Sequence, residues 1–528
     1  MTVEFEERKI PRTMSTQHPD NVNLPEWSQD QVIDGNAEVY EAYYAYKTLG
    51  CQEVMWDSEG KDVDTRVVRK LLSNYWDYFS ENIIGKDLFL TYRIPNPTIE
   101  SVEKKVVAET LLNIPVTYDV ASSVYKKDIA PIFEVILPFT TSGNELIWLF
   151  NYYKKAIVAN EDIMLDEHAK AKDWIGGFKP KTINVIPLVE DYDSLLNIDN
   201  IIKPYIKAAK PKHLRVFIAR SDPALNYGLI AAVLLSKMAL AKLEKTEKET
   251  NVMVHPIIGV GSKPFRGHLS PENLENFLQE YPGLATVTIQ SAARYDYPLE
   301  QVKEFVKLLN EKLPNGTPAA IEPHEEEILL AVLEKCRRQY ESVVEVLAPF
   351  VNSLSPYVPQ RRARKLHIGL FGYSRNVAGV SLPRAITFAA VLYSIGIPPE
   401  FLGAKVIEDF TDGELDIAQK YYVNLGKDFA AVGGYVSWEN VNMLMGMHLK
   451  TAKRANMDVD NLRLALTRIL ADLKTVEEKL DVKLGPRTST QRKHENFTNN
   501  FLISYLERED EEAKKALVEA AKLRKCLG

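Results

Sequence analysis

INVIPLVEDYDSLLNIDNIIKPYIKAAKPKHLRVFIARSDPALNYG, residues 183–228, decides the fold. Its two runs rich in β-branched and apolar residues, INVIPLV (183–189) and LRVFIA (214–219), read as buried strands with helical patterning after them. Strand, helix, strand is the unit of a parallel sheet. The same rhythm recurs in CQEVMW (51–56), LFLTY (88–92), IFEVIL (132–137), VMVHPII (252–258), ATVTI (285–289) and HIGLF (367–371). Helical spacing is plain over 144–157, where Leu146, Leu149, Phe150 and Tyr153 share a face. It is plain again over 325–350, through Leu329, Leu333, Cys336, Tyr340, Val344 and Leu347. Eight strands alternating with helices predict an α/β fold, a (β/α)8 TIM-type barrel rather than an open sheet. The expected domain is single over 1–528, with a barrel core at about 51–380. Many additional α-helices are expected over 381–528, packed outside the barrel. The polar insert EKTEKET (244–250) reads as a solvated connection.

Composition excludes several classes of function. The 528 residues carry 65 Lys and Arg against 72 Asp and Glu, a net charge of -7. That balance argues against a whole-protein basic field for nucleic acid. The longest apolar stretch, 385–402, is interrupted by Pro398 and Pro399, so no membrane partner is expected. The charged opening MTVEFEERKIP lacks the apolar centre of a signal peptide. Cys51, Cys336 and Cys526 are far apart and in no metal-ligand spacing. The chain reads as cytoplasmic.

Asp57, Arg93, Glu190, Asp222, Arg266, Gln290 and Arg375 all lie at or shortly beyond a predicted strand's carboxyl end. In a (β/α) barrel those ends converge on one mouth. Any one of them is explained by strand ends meeting water; together, carboxylates and guanidinium groups suit a divalent cation and a polyanionic substrate. Glu190 and Asp222 follow consecutive strands and offer the oxygen donors that Mg2+ or Mn2+ prefer. Asp222 precedes Pro223 and equally suits a helix cap. His18 sits in PRTMSTQHPDN (11–21), a polar loop before any periodic segment, where Thr16 and Gln17 offer hydrogen bonds to its ring.

GVGSKPFRGHLSP (259–271) is glycine-rich but fails the dinucleotide fingerprint, and no G-x-x-x-x-G-K-S/T phosphate loop occurs. Its Lys263 and Arg266 suit an oxyanion, or else an ordinary turn with two exposed cations. GYSRNVAGVSLPRAI (372–386) adds Arg375 and Arg384. DSEGKDVD (57–64) fails as a calcium loop, since Val68 stands at the twelfth position. RRARK (361–365) reads as a solvated barrel edge, and MGMHLK (445–450) is no biotin segment.

PRTMSTQHPDN, VIPLVED, RSDPALNYG, GSKPFRG and GYSRNVAGVSLPRAI, in this order, closely resemble the short archaeal-type phosphoenolpyruvate carboxylases over essentially the whole chain. Against the longer carboxylases the likeness is confined to motifs. Their T-A-H-P-T corresponds to residues 16–20, so the resemblance implies that His18 is the essential histidine. It implies Glu190 and Asp222 as metal ligands and Arg266 as the second Arg of G-R-G-G-x-x-G-R-G. Arg375 and Arg384 match the paired substrate arginines, and Arg93 in LTYRIPNP resembles a further phosphate-binding Arg. Two departures stand out: the long enzymes' Lys in S-D-S-x-K falls on Leu225, and their first loop Arg falls on Val260, where Lys263 is nearby to supply charge.

The resemblance further implies a homotetramer and a carboxylation of phosphoenolpyruvate with bicarbonate, giving oxaloacetate and phosphate. The implied route passes through carboxyphosphate and a metal-bound enolate of pyruvate, with Mg2+ or Mn2+ and without biotin or ATP. His18 would handle a proton, Arg266 would hold carboxyphosphate, and Lys263, Arg93, Arg375 and Arg384 would bind substrate. The loops at 259–267 and 372–379 are the expected lids. A metal-dependent lyase or aldolase on the same fold and a noncatalytic scaffold remain the alternatives. The basic clusters at QRKHE (491–495) and around Arg524 have no spatial relation assigned by the sequence.

Overall fold

The computed structural model describes residues 8–59, 63–362, 376–377, 379–447 and 458–528. Eight parallel strands form a closed barrel: β1 Thr13–Ser15, β2 Glu53–Asp57, β3 Phe89–Arg93, β4 Glu134–Leu137, β5 Asn184–Val189, β6 His213–Ala219, β7 Met253–Gly259 and β8 Thr286–Ile289. Seven of these are legible from the sequence. The first is not. TMS is too short to show a period, yet it pairs with β2 through Met14 and Glu53 and with β8 through Met14 and Thr288. The expected strand HIGLF lies outside the described residues, and the ring closes without it. The barrel thus begins upstream of residue 51, and the segment bearing His18 is part of it.

Side chains alternate across each strand, which sorts the interior into layers. Glu53, Glu134 and Arg215 fill the lower end, where the strands begin. Met14, Met55, Ile136, Ile186, Leu188, Phe217, Ala219 and Ile257 form a separate apolar middle. Continuing the two-residue step brings Asp57, Arg93 and Glu190 to the upper end. In the lower layer Arg215 donates to Glu53 at 2.6 and 2.8 Å, to Glu134 at 3.1 Å and to Thr286 at 3.3 Å. Burial would raise the Glu134 carboxyl, but Arg215, helped by His213, outweighs it and holds the pKa down at about 2.

Helices shield the strands from water. Gly143–Tyr152 begins with a capping box between Ser142 and Glu145 and continues through a π turn to Ile157. Pro323–Leu354 opens on Pro at its first turn, where the missing N–H costs nothing. The insert expected as a connection, EKTEKET, is instead the end of helix Leu229–Thr250. Lys and Glu are strong helix formers, Leu243 and Thr246 are buried, and Lys248 pairs with Glu244 one turn away.

The region after residue 381 is helical, as expected: Ala385–Ser394, Asp412–Tyr421, Leu425–Gly433, Trp438–Met445, Val459–Leu480, Ser489–Glu507 and Asp510–Arg524. Among the described residues no single helix is long and apolar enough to cross a membrane. The apolar stretch 385–402 is the buried helix Ala385–Ser394 followed, after a sharp bend, by the short 3-10 turn Pro399–Phe401.

RRARK is also not a solvated edge where it is described. Arg361 is buried and donates to the carbonyls of Asn21 and Val22, and buried Arg362 pairs with Glu41. Both strap the N-terminal segment to the body.

Replacing Arg215 by Met strands two buried carboxylates. Urea unfolding at pH 7 is expected to show a loss of about 3–5 kcal/mol. Because the Glu134 pKa is depressed from 4.5 to about 2 in the folded chain, its stabilisation is present above pH 4.5 and disappears as pH falls toward 2. The difference between wild type and Arg215→Met should therefore narrow across that window.

Candidate active site

The upper ends of the strands open onto a cleft. His18, Arg93, Glu190, Asp222, Arg266 and Arg384 all line it, together with Glu59, Arg220, Ser221 and Gln290. Six of the eight site residues inferred from sequence therefore share one hollow. Arg375 lies outside the described residues. Lys263 is not part of the lining: its ammonium sits 5.3 Å from the centre of the Tyr435 ring, turned toward the C-terminal helices.

His18 comes directly after the closing strand. Thr16 Oγ1 lies 2.9 Å from His18 Nδ1 and orients the ring. Gln17 has a different task, accepting from the Asp57 backbone N–H at 3.1 Å. The chain beyond is held by two buried carboxylates. Asp20 accepts from the Ala292 N–H at 2.7 Å and from Ser291 Oγ at 2.9 Å. Asp296 accepts from the N–H groups of Val22 at 2.8 Å and Asn23 at 2.7 Å. Burial pushes the Asp296 carboxyl up to about 7 despite those bonds.

Arg93 ends β3 and is gripped by acids. Its Nε and a terminal nitrogen donate to the two Asp57 oxygens at 2.8 and 2.6 Å, and Glu59 lies 3.0 Å away. Burial alone would lower the guanidinium pKa, but Asp57 and Glu59 hold it well above the ordinary value. Glu190 comes immediately after β5 and is 5% exposed. Asp222 lies in the first turn of helix Ser221–Tyr227, inside the helix rather than at its cap, which is Arg220. Two carboxylates at one cleft fit Mg2+ or Mn2+, hard ions that keep several waters and need only one or two protein ligands. Among the described residues no three His, Cys, Asp or Glu side chains converge as a closed metal cage.

Arg266 is held from several sides. It donates to Asp20 at 2.9 Å, to the Gly528 carbonyl at 2.7 Å, to Ser221 Oγ at 3.2 Å and to Gln290 Oε1. Its loop is buried, and the backbone of Gly261 and Arg266 closes it with a 2.7 Å hydrogen bond. The expectation of a lid at 259–267 is thus corrected: the segment is wedged between the barrel and the C-terminal helices. The other expected lid, 372–379, lies largely outside the described residues. Two glycines make the wedge possible. A Cβ on Gly261 would meet the Arg266 guanidinium at 2.8 Å, and one on Gly267 would meet Val260 Cγ1 at 2.4 Å.

Leu225 and Val260 are both buried and apolar, so neither place contributes charge. Arg220, which opens the RSDPALNYG motif but is not among the site residues read from it, is a further cation of the cleft lining. Glu59 is equally hidden, two places past the end of β2 in a segment that resembles a failed calcium loop. The structure also joins the two distal basic clusters: Arg524 lies 3.3 Å from His494 Nε2, and burial and the Arg524 charge push the His494 pKa well below its ordinary value.

The sequence profile of the family described as phosphoenolpyruvate carboxylase matches residues 10–528. The chain belongs to the phosphoenolpyruvate carboxylase family. A phosphoenolpyruvate carboxylase of Metallosphaera sedula is 45% identical over 524 residues, covering 99% of this chain and 100% of that protein. One of Caldivirga maquilingensis is 46% identical over 521 residues, at 99% and 100% coverage. One of Picrophilus torridus is 45% identical over 521 residues, at 98% and 99% coverage.

Gly267 has φ +115, so Gly267→Ala combines an unfavourable backbone with a clash. It should lower stability by at least about 1–3 kcal/mol, read as a shift of the urea midpoint at constant slope. An unchanged midpoint would contradict a rigid loop.

Proposed function

We propose that this protein joins phosphoenolpyruvate and bicarbonate into oxaloacetate and inorganic phosphate. The observation that carries the reading is the shared cleft of His18, Glu190, Asp222, Arg266 and Arg384 in a chain of this family. The physical problem is charge. Two like unit charges about 4 Å apart repel by roughly 4 kcal/mol at an effective dielectric of 20. Phosphoenolpyruvate and bicarbonate are both anions, so their encounter needs fixed cations.

Arg384 is the group for the substrate's phosphate or carboxylate, at the start of a core helix that holds it still. Arg93 carries two acids already, so its role is to set the Asp57–Glu59 side of the cleft and share its remaining charge with substrate. Glu190 and Asp222 would hold Mg2+ or Mn2+, which when bound supplies positive charge against phosphoryl and enolate oxygens.

Phosphoryl transfer to bicarbonate would form carboxyphosphate and leave the enolate of pyruvate. Carboxyphosphate then releases phosphate and carbon dioxide, and the enolate carbon attacks that carbon dioxide to give oxaloacetate. His18 handles the carboxyphosphate proton. Arg266 holds carboxyphosphate and then keeps the carbon dioxide region oriented. The buried surroundings of Arg266 help exclude water, which would protonate the enolate to pyruvate. The route requires neither biotin nor ATP. The resemblance also implies a homotetramer.

A coupled assay for oxaloacetate, run with and without bicarbonate and Mg2+, tests the reading. Oxaloacetate and phosphate should form only with both present; phosphate-free turnover would favour a lyase or aldolase, and no turnover or metal binding a scaffold. His18→Asn should reduce oxaloacetate formation by at least about 100-fold while leaving phosphoenolpyruvate binding nearly unchanged. Full activity in that variant removes His18 from the mechanism. Arg266→Ser should divert flux to pyruvate and phosphate, visible as a changed product ratio.

A further inference from the structure

We infer that Arg220 is a positioning residue for the carboxylation step: its guanidinium clamps the Pro264–Arg266 turn and thereby aims Arg266 into the cleft. The inference rests on the role assigned to Arg266 above. Arg220 links β6 to helix Ser221–Tyr227, and its side chain is 1% exposed. A buried guanidinium is costly unless its donors are used. Here they converge on one object. Two terminal nitrogens donate to the carbonyls of Pro264 and Phe265 at 3.3 Å each, and Nε donates to Tyr281 Oη at 3.0 Å. Those carbonyls belong to the 3-10 turn that ends on Arg266.

The neighbouring contacts close the device. Ser221, next in sequence to Arg220, accepts from Arg266 Nε at 3.2 Å, so one short segment holds both the backbone and the side chain of the Arg266 loop. Gly267, immediately after, leaves room for the stem: a Cβ there would lie 3.2 Å from Arg220 Cγ. On its far side the turn is held by Glu400, which accepts from the Phe265 N–H at 2.9 Å and from Tyr393 Oη at 2.6 Å. Val260, the apolar neighbour across Gly267, has no side-chain donor to offer in its place. The Asp20, Gln290 and Gly528 bonds fix the tip of Arg266; Arg220 fixes the peptide from which it springs. A loose turn would let the tip lag behind the change from carboxyphosphate to carbon dioxide.

The test measures phosphate, oxaloacetate and pyruvate together in wild type, Arg220→Met, Arg220→Lys, Tyr281→Phe, Arg266→Ser and the Arg220→Met/Arg266→Ser double variant. Arg220→Met should raise the pyruvate-to-oxaloacetate ratio about tenfold, the size of one lost charge-assisted hydrogen bond. Arg220→Lys should recover part of the wild-type ratio. Tyr281→Phe, which removes one oxygen remote from the cleft, should shift the ratio in the same direction by less. The double variant should match Arg266→Ser alone, since both changes act through one guanidinium. Proportional loss of all three products in Arg220→Met, or a double variant worse by the product of the two effects, overturns the inference.

If Arg220→Met does not fold, an unchanged ratio in Tyr281→Phe overturns it instead. A wild type that makes no oxaloacetate defeats the functional reading, and the crystal structure of Arg220→Met or Tyr281→Phe then decides this one. Displacement of Arg266 from Asp20 and Gln290 supports the clamp, and an unmoved Arg266 overturns it.

Discussion

Closure of the barrel by three residues is the constraint on which the site depends. Thr13–Ser15 is buried but has only a few backbone pairs with β2 and β8 to set against the conformational entropy of ordering it. Residues beyond the strand offset that cost. Asp20 and Asp296 satisfy backbone N–H groups on both sides of the joint, and Arg361 and Arg362 reach across to bind the N-terminal region. Only because that strap is fixed does His18 stand at the mouth beside residues that lie hundreds of positions away in sequence.

Charge is managed by the same logic at both ends of the barrel. Below, Arg215 is surrounded by Glu53 and Glu134, a closed arrangement whose role is structural. Above, the cations and acids are arranged around a hollow, so part of their field remains directed into the cleft. An apolar layer separates the two. Inside so low a dielectric each arginine needs a partner, and the ones it has define what it does. Arg93 is tied to acids, Arg220 to carbonyls, and Arg266 to a mixed set that includes the N-terminal strap and the Gly528 carbonyl.

The loop around Arg266 illustrates why glycine placement matters more than glycine number. Gly261 makes space for a guanidinium, and Gly267 adopts a backbone angle that a side chain would resist while two neighbours pack over it. Glycine content alone suggests a flexible lid. In the folded chain it is one of the most enclosed parts of the site, because helices from the last third of the chain press on it from outside.

Much of this is legible in the residues themselves. β-branched runs mark seven strands because each is long enough to display a buried period, and the two-residue step carries Arg93 and Glu190 to the correct end. Motif order marks His18, Asp222, Arg266 and Arg384. Short-range patterning fails where the decisive partner is remote: TMS becomes a strand only between β2 and β8, EKTEKET stays helical because of its buried face, and Arg361 and Arg362 are buried through carbonyls and acids near the N-terminus. Lys263 and Arg220 show the limit most sharply. Both are cations near strand ends, alike on paper; the direction each side chain takes depends on which aromatic ring or carbonyl lies beyond it. Sequence by itself determined the barrel and the kinds of group at its mouth, since periodicity and composition are local. Tertiary structure alone decided which cations face the cleft and which brace it, because burial forces every charge to seek a partner that only the closed fold can bring near.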